Sequence, residues 1–157
     1  MTPAVNSAKK HNIPFTLHQY QHEASSTSFG LEAVEKLAVA PEKVFKTLVV
    51  STQDKQLAVA IVPVLQQLDL KAMAKALHCK KVTMADKAQV EKTTGYLLGG
   101  ISPLGQKKSL VTIIDNSSEA LTTMFVSGGK RGLEIELAPG DLARLTRGSF
   151  SPIGSEN

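Results

Sequence analysis

The chain is predicted to form one α+β domain over residues 1–157, with a mixed, mostly antiparallel, barrel-like sheet flanked by short helices. Three observations carry this. A length of 157 residues with 42% apolar side chains suffices for one core that needs neither disulfides nor metal. Segments with the period of a strand and segments with the period of a helix are interspersed, but not as a regular βαβ series. Several connections are too short for crossover helices, so neighbouring strands must largely run antiparallel.

The elements follow in order. Thr2 before Pro3 reads as an N-cap with proline in the first helical position, and the helix should run to about Lys10. Phe15 to Tyr20 alternates and reads as a strand, and Ser25 to Ser28 as a polar loop. Leu31, Val34, Leu37 and Ala38 have helical spacing. Pro41 starts a turn, Phe45 to Val50 is a strand rich in β-branched residues, and Asp54 sits in the turn before a continuous apolar strand from Leu57 to Val62. These two strands should form a hairpin. Asp69 caps a helix through Leu77, a short strand spans Lys81 to Met84, and Asp86 caps a helix that Gly95 ends. After a glycine-rich segment come strands at Leu110 to Ile114, Met124 to Val126 and Leu133 to Leu137, with a helical turn near Glu119. Pro139-Gly140-Asp141 starts the last helix, and the tail from Phe150 is expected to fray.

Composition excludes several classes. No window approaches the roughly 20 apolar residues of a membrane span, and MTPAVNSAKKHN lacks a signal-peptide core, so the expectation is a cytoplasmic protein with no membrane partner. Cys79 is the one cysteine, so no intrachain disulfide forms. The net charge of +4 permits an anionic partner without demanding one. Basic pairs at Lys107-Lys108 and Lys130-Arg131 lie beside glycine-rich turns, a placement that suits phosphate contacts.

Standard catalytic patterns fail one by one. His18 and His22 lie on an extended segment, about 13 Å apart, too far for one tetrahedral ion; no metal site and no cofactor are expected. Cys79 has His78 beside it in sequence, but adjacent side chains diverge, so a small buried residue at a helix end is the better reading. Ser102, in Gly100-Ile101-Ser102-Pro103-Leu104, lacks the second glycine of a nucleophile elbow. Ser127-Gly128-Gly129-Lys130-Arg131-Gly132 is not a Walker loop, and a tight hairpin turn would account for its glycines. What remains is a polar cleft without a standard nucleophile. Lys46, inside the apolar strand Phe45 to Val50, either points to solvent or lines a cleft, where its ammonium would hold an oxygen. The segment Gly99 to Lys108 combines glycines with a stiffening proline, so its amides suit an oxyanion.

The segments Thr2 to Val5, Tyr20 with His22, Phe29-Gly30, FKTLVV around Lys46, Gln67 to Lys71, Met84 to Lys87, Thr94 to Lys108 and Val126 to Ala143 are similar to those of the YbaK family, the Cys-tRNA(Pro) deacylases. That family is related to the editing domain inserted in bacterial prolyl-tRNA synthetases, and the resemblance spans about residues 2–145. It implies removal of cysteine from mischarged Cys-tRNA(Pro), an error that arises because a pocket discriminates poorly between groups of similar volume. It implies a key polar role for Lys46 and a catalytic loop over Gly99, Gly100, Ile101 and Ser102. It further implies substrate contacts from Tyr20, Phe29, Thr47, Pro103, Ser127, Gly128, Gly129 and, least securely matched, Glu134. Lys107, Lys108, Lys130 and Arg131 are the expected tRNA contacts, with prolyl-tRNA synthetase as a further partner. The mechanism proposed for the family, attack by the substrate's own thiol, explains a site that only positions and stabilises.

Overall fold

A computed structural model describes residues 1–25 and 29–156. The polar loop expected from Ser25 lies, from Ser26 to Ser28, outside the described residues, as does the side chain of Phe29.

The first helix, α1 (Pro3–Lys10), starts where Thr2 Oγ1 accepts the Val5 amide at 3.2 Å, and the proline at the first position gives up no helical hydrogen bond. The same hydroxyl donates to the Gly128 carbonyl at 2.5 Å, which ties α1 to a turn 126 residues away. Then come β1 (Phe15–Gln19), α2 (Phe29–Leu37), a short 3-10 turn at Pro41–Lys43, β2 (Phe45–Thr52), β3 (Leu57–Pro63), β4 (Gln67–Leu68) and α3 (Leu70–Ala76). The second half holds β5 (Val82–Met84), α4 (Lys87–Thr94), β6 (Val111–Asp115), a 3-10 turn at Asn116–Ala120, β7 (Met124–Ser127), β8 (Leu133–Leu137), α5 (Pro139–Thr146), β9 (Ser149–Ser151) and β10 (Gly154–Ser155). Asp69 and Asp86 cap α3 and α4 as the sequence predicts, and Gly95 ends α4 with φ near 83°, a conformation that favours glycine.

The strands form a five-stranded sheet in the order β5-β2-β3-β6-β9, a three-stranded sheet β1-β8-β7, and the pair β10-β4. β3–β6 and β6–β9 are parallel; the other pairings are antiparallel. The two larger sheets meet at a bridge between Val44 and Phe125, so the barrel-like curl stays open among the described residues. The main core lies between them, with Phe45, Val49, Val59 and Ile61 from one sheet against Met124, Val126, Leu133 and Ile135 from the other, and Val5 of α1 closing one end. A second core on the far face packs Val50, Ala58, Ala60 and Val62 against Met73 of α3. Strand β3 is therefore covered on both faces, which is why its sequence is a continuous apolar run rather than an alternation.

The tail corrects the sequence reading. Instead of fraying, β9 pairs with β6 and β10 with β4, and Ile153 is fully buried in the second core. Asp115 is the cause: its buried Oδ1 accepts the amides of Ile153 and Gly154 at 3.0 and 2.8 Å, while the Ile153 carbonyl accepts the Asp69 amide. Cys79 is half-buried at the end of α3 rather than fully enclosed, since the chain leaves the helix toward the surface there.

Candidate functional site

Strand β2 pairs with β3 along Phe45 to Ser51, but with β5 only from Val50 to Thr52. The stretch Phe45 to Leu48 is thus uncovered on its β5 side, and a cavity of about 490 Å³ opens there. Its walls come from seven places in the chain: Tyr20 after β1, Gly30 and Leu31 of α2, Phe45 to Leu48 of β2, Val64 beyond β3, Met84, Ala85 and Lys87 between β5 and α4, Leu98, Gly99 and Ile101 of the glycine-rich loop, and Ser127, Lys130, Arg131 and Glu134 across the β7–β8 turn.

Lys46 lines this cavity instead of reaching open solvent, and burial pulls its pKa below the usual lysine value. Thr47 Oγ1, in the same wall, is buried with no hydrogen-bond partner among the described residues. Glu134 lies on β8 opposite Ser127 and is 8% exposed; burial pushes its carboxyl up to about 8, so it holds a proton at neutral pH. Tyr20 is raised to about 12, first by burial and then by the nearby Glu134 and Glu32 carboxyls. The Tyr20 amide donates to the Gly132 carbonyl at 2.9 Å, fixing the end of β1 to the turn that carries Lys130 and Arg131.

The glycine-rich loop is shaped by close approach. A Cβ on Gly100 would sit 2.8 Å from the Lys130 Cα, so only glycine lets this loop lie against the β7–β8 turn. The Gly100 amide is committed to the Leu97 carbonyl at 2.9 Å, whereas the amides of Gly99, Ile101 and Ser102 have no acceptor among the described residues. Of these, Gly99 and Ile101 border the cavity. Ser102 is fully buried, its Oγ accepting the Leu104 amide at 3.2 Å. Tyr96 braces the same loop by donating its hydroxyl to the Leu104 carbonyl at 2.6 Å.

The residues singled out in the sequence thus divide. Tyr20, Lys46, Thr47, Gly99, Ile101, Ser127, Lys130, Arg131 and Glu134 converge on one cavity. Gly100, Ser102, Gly128 and Gly129 support its walls from behind; a Cβ on Gly128 would meet the Leu133 Cγ at 2.6 Å, and Ser127 Oγ accepts the Gly129 amide. Pro103 faces a separate small hollow with Gln106 and Thr112. Lys107 and Lys108 are exposed beside the end of α4, with their amides bonded to the Thr94 and Thr93 carbonyls, and do not border the cavity.

Half of the lining residues were given no site role by the sequence, among them the exposed Leu31, Met84, Lys87 and Leu98. Met84 and Lys87 fall within a segment that carried the resemblance, but an exposed side chain at a helix start has no periodic signal. The pair His22–Glu32 was also hidden, because ten residues separate its members. His22 Nδ1 lies 2.6 Å from Glu32 Oε1, and Glu32 Oε2 accepts the Glu23 amide, which with His22 holds the buried carboxylate below its usual range. This contact anchors α2, whose Gly30 packs so tightly that a Cβ there would lie 2.4 Å from Val64 Cγ1.

Residues 22–145 match the aminoacyl-tRNA editing domain. The chain belongs to this family. A relative in Enterococcus faecalis, EbsC, described as a candidate Cys-tRNA(Pro)/Cys-tRNA(Cys) deacylase, is 39% identical over 153 residues, covering 97% of this chain and 92% of its own. Among solved structures, a candidate trans-editing enzyme for prolyl-tRNA synthetase superposes with a TM-score of 0.85 at 18% identity, over 98% of this chain and 95% of that one. The protein APE2540 superposes with a TM-score of 0.87 at 21% identity, over 98% and 100%. Both share the α+β editing-domain fold. No helix among the described residues is long and apolar enough to cross a membrane.

Proposed function

We propose that the protein is a trans-editing deacylase that removes cysteine from mischarged Cys-tRNA(Pro), with the substrate's own thiol as nucleophile. The observation that carries this reading is the composition of the cavity wall. Among the described residues it holds a desolvated ammonium at Lys46, amides of Gly99 and Ile101 without an acceptor and a buried carboxyl at Glu134, and none of the described lining residues is a histidine or cysteine. Ser127 lies in the wall with no imidazole among the described lining residues to activate it.

Such a wall suits an ester that carries its own nucleophile. The cysteinyl sulfur attacks the ester carbonyl carbon, a C–S bond forms, and the C–O bond to the ribose breaks. The thiol proton passes to the departing ribose oxygen, leaving tRNA with a free hydroxyl and a cyclic thiolactone that water opens later. The amides of Gly99 and Ile101 would meet the oxyanion, where fixed donors act most strongly. Lys46 would orient the ester oxygens. Glu134 would face the α-amino group, losing its proton when an ammonium arrives beside it. Lys130 and Arg131 at the mouth would meet phosphates of the acceptor end, with Lys107 and Lys108 as contacts farther along it. Selectivity for tRNA(Pro) would then come from association with prolyl-tRNA synthetase, since the cavity encloses only the end of the acceptor arm.

The test compares Cys-tRNA(Pro) with Ser-tRNA(Pro), using the wild type and Lys46→Ala. The wild type should release cysteine and leave the seryl ester nearly intact, because a hydroxyl is a far poorer nucleophile than a thiol. Lys46→Ala should lose at least about 100-fold in rate, the scale for removing one transition-state donor. Comparable rates on both esters would refute the thiol mechanism, and an unchanged Lys46→Ala rate would remove that residue from its role.

A further inference from the structure

We infer that the mouth of the cavity is a separate subsite for the substrate's terminal nucleotide: the base rests on the exposed apolar rim of Leu31, Met84 and Leu98, and Lys87 takes the 5′-phosphate. The inference rests on the reading that an aminoacyl ester of a nucleic acid enters this cavity.

Three features support it. Eight large apolar side chains are exposed among the described residues, and three of them, Leu31, Met84 and Leu98, line this one cavity at 39%, 51% and 47% exposure. Apolar side chains gathered at the mouth of a polar cavity mark a surface that something flat and apolar covers. The ledge is also held in place. The Leu98 amide donates to Glu91 Oε2 at 2.8 Å, and the Leu98 carbonyl accepts from Arg131 at 3.3 Å. A charged side chain on each side pins the backbone while leaving the leucine side chain outside, an arrangement suited to presenting a surface.

Lys87 supplies the third feature. It is the first residue of α4, where the helix dipole and the unpaired amides are already positive, and the first turn carries no acidic residue. A lysine there works against the helix. Asp86 is engaged as the cap, accepting the Gln89 amide, and Lys87 has no ion pair among the described residues. A local cost without a local partner is accounted for by a ligand that brings negative charge to this end of the rim. The cavity volume of about 490 Å³ agrees, because it exceeds the needs of one small amino acid and lies in the range of sites that enclose larger ligands.

The methionines provide the probe. Protein labelled with ¹³C at the methionine methyls is titrated with adenosine and with AMP. Met84 reports the rim, and the fully buried Met73 and Met124 serve as controls. The expected result is a ring-current shift of the Met84 methyl alone, with AMP binding about fivefold more tightly than adenosine. Salt should weaken AMP binding and leave adenosine binding unchanged. In Lys87→Gln the two ligands should bind equally. An unmoved Met84 methyl, equal affinities in the wild type, equal salt dependence, or a retained AMP preference in Lys87→Gln would each overturn the subsite. The measurement needs no turnover, so its failure is distinct from a failure of the deacylation assay.

Discussion

Replacing Glu134 with glutamine should stabilise the protein, and more so as the pH rises. The folded carboxyl ionises near 8 because β8 buries it, whereas in the unfolded chain it returns to about 4.5. Below the lower value both states are protonated and the group contributes nothing. Between the two values the unfolded state loses its proton and the folded state keeps it, so wild-type stability falls by about 1.4 kcal/mol per pH unit. From pH 5 to pH 8 the loss sums to about 3–4 kcal/mol. Glutamine has nearly the same shape and no ionisation, and any cost of its amide is the same at both pH values. The difference between variant and wild type therefore isolates the carboxyl. For a domain of this size 1 kcal/mol corresponds to about 2–4 °C in Tm, so the gap between Glu134→Gln and wild type should widen by about 10 °C between pH 5 and pH 8. Thermal unfolding followed by circular dichroism at the two pH values measures it. A constant gap would refute the reasoning, since it would mean that Glu134 ionises in the folded protein as it does in water. The same variant should deacylate more slowly, as a destabilising group kept at a functional site implies.

Other outcomes follow from the same geometry. Ser102→Ala should keep deacylation within a few-fold of wild type while losing about 1 kcal/mol of stability, because its fully buried hydroxyl accepts the Leu104 amide and does not border the cavity; denaturant unfolding and a rate assay separate the two effects. Ile153→Ala should cost about 2–4 kcal/mol in the same unfolding measurement, since the tail belongs to the core; a loss below about 0.5 kcal/mol would return the tail to the frayed state expected from sequence.

The sequence by itself determined most of the elements and their chemistry-bearing residues, but not the short strands β4, β9 and β10. Caps at Thr2, Asp69 and Asp86, the stop at Gly95 and the doubly buried run Leu57 to Val62 are local signals, written within a few residues of where they act. The resemblance over residues 2–145 pointed to Lys46, Tyr20 and the glycine-rich loop. The tertiary structure decided which of those residues share a cavity. Lys46 faces the cavity because β5 stops at Val50 in its pairing, and Glu134 is buried because β1 and β7 flank β8. Pairings between residues tens of positions apart leave no periodic trace in the chain. For the same reason the buried Ile153, the His22–Glu32 contact and the rim of Leu31, Met84, Leu98 and Lys87 became visible only once the sheets were assembled: burial and the electrostatics that burial creates depend on what the rest of the chain brings alongside.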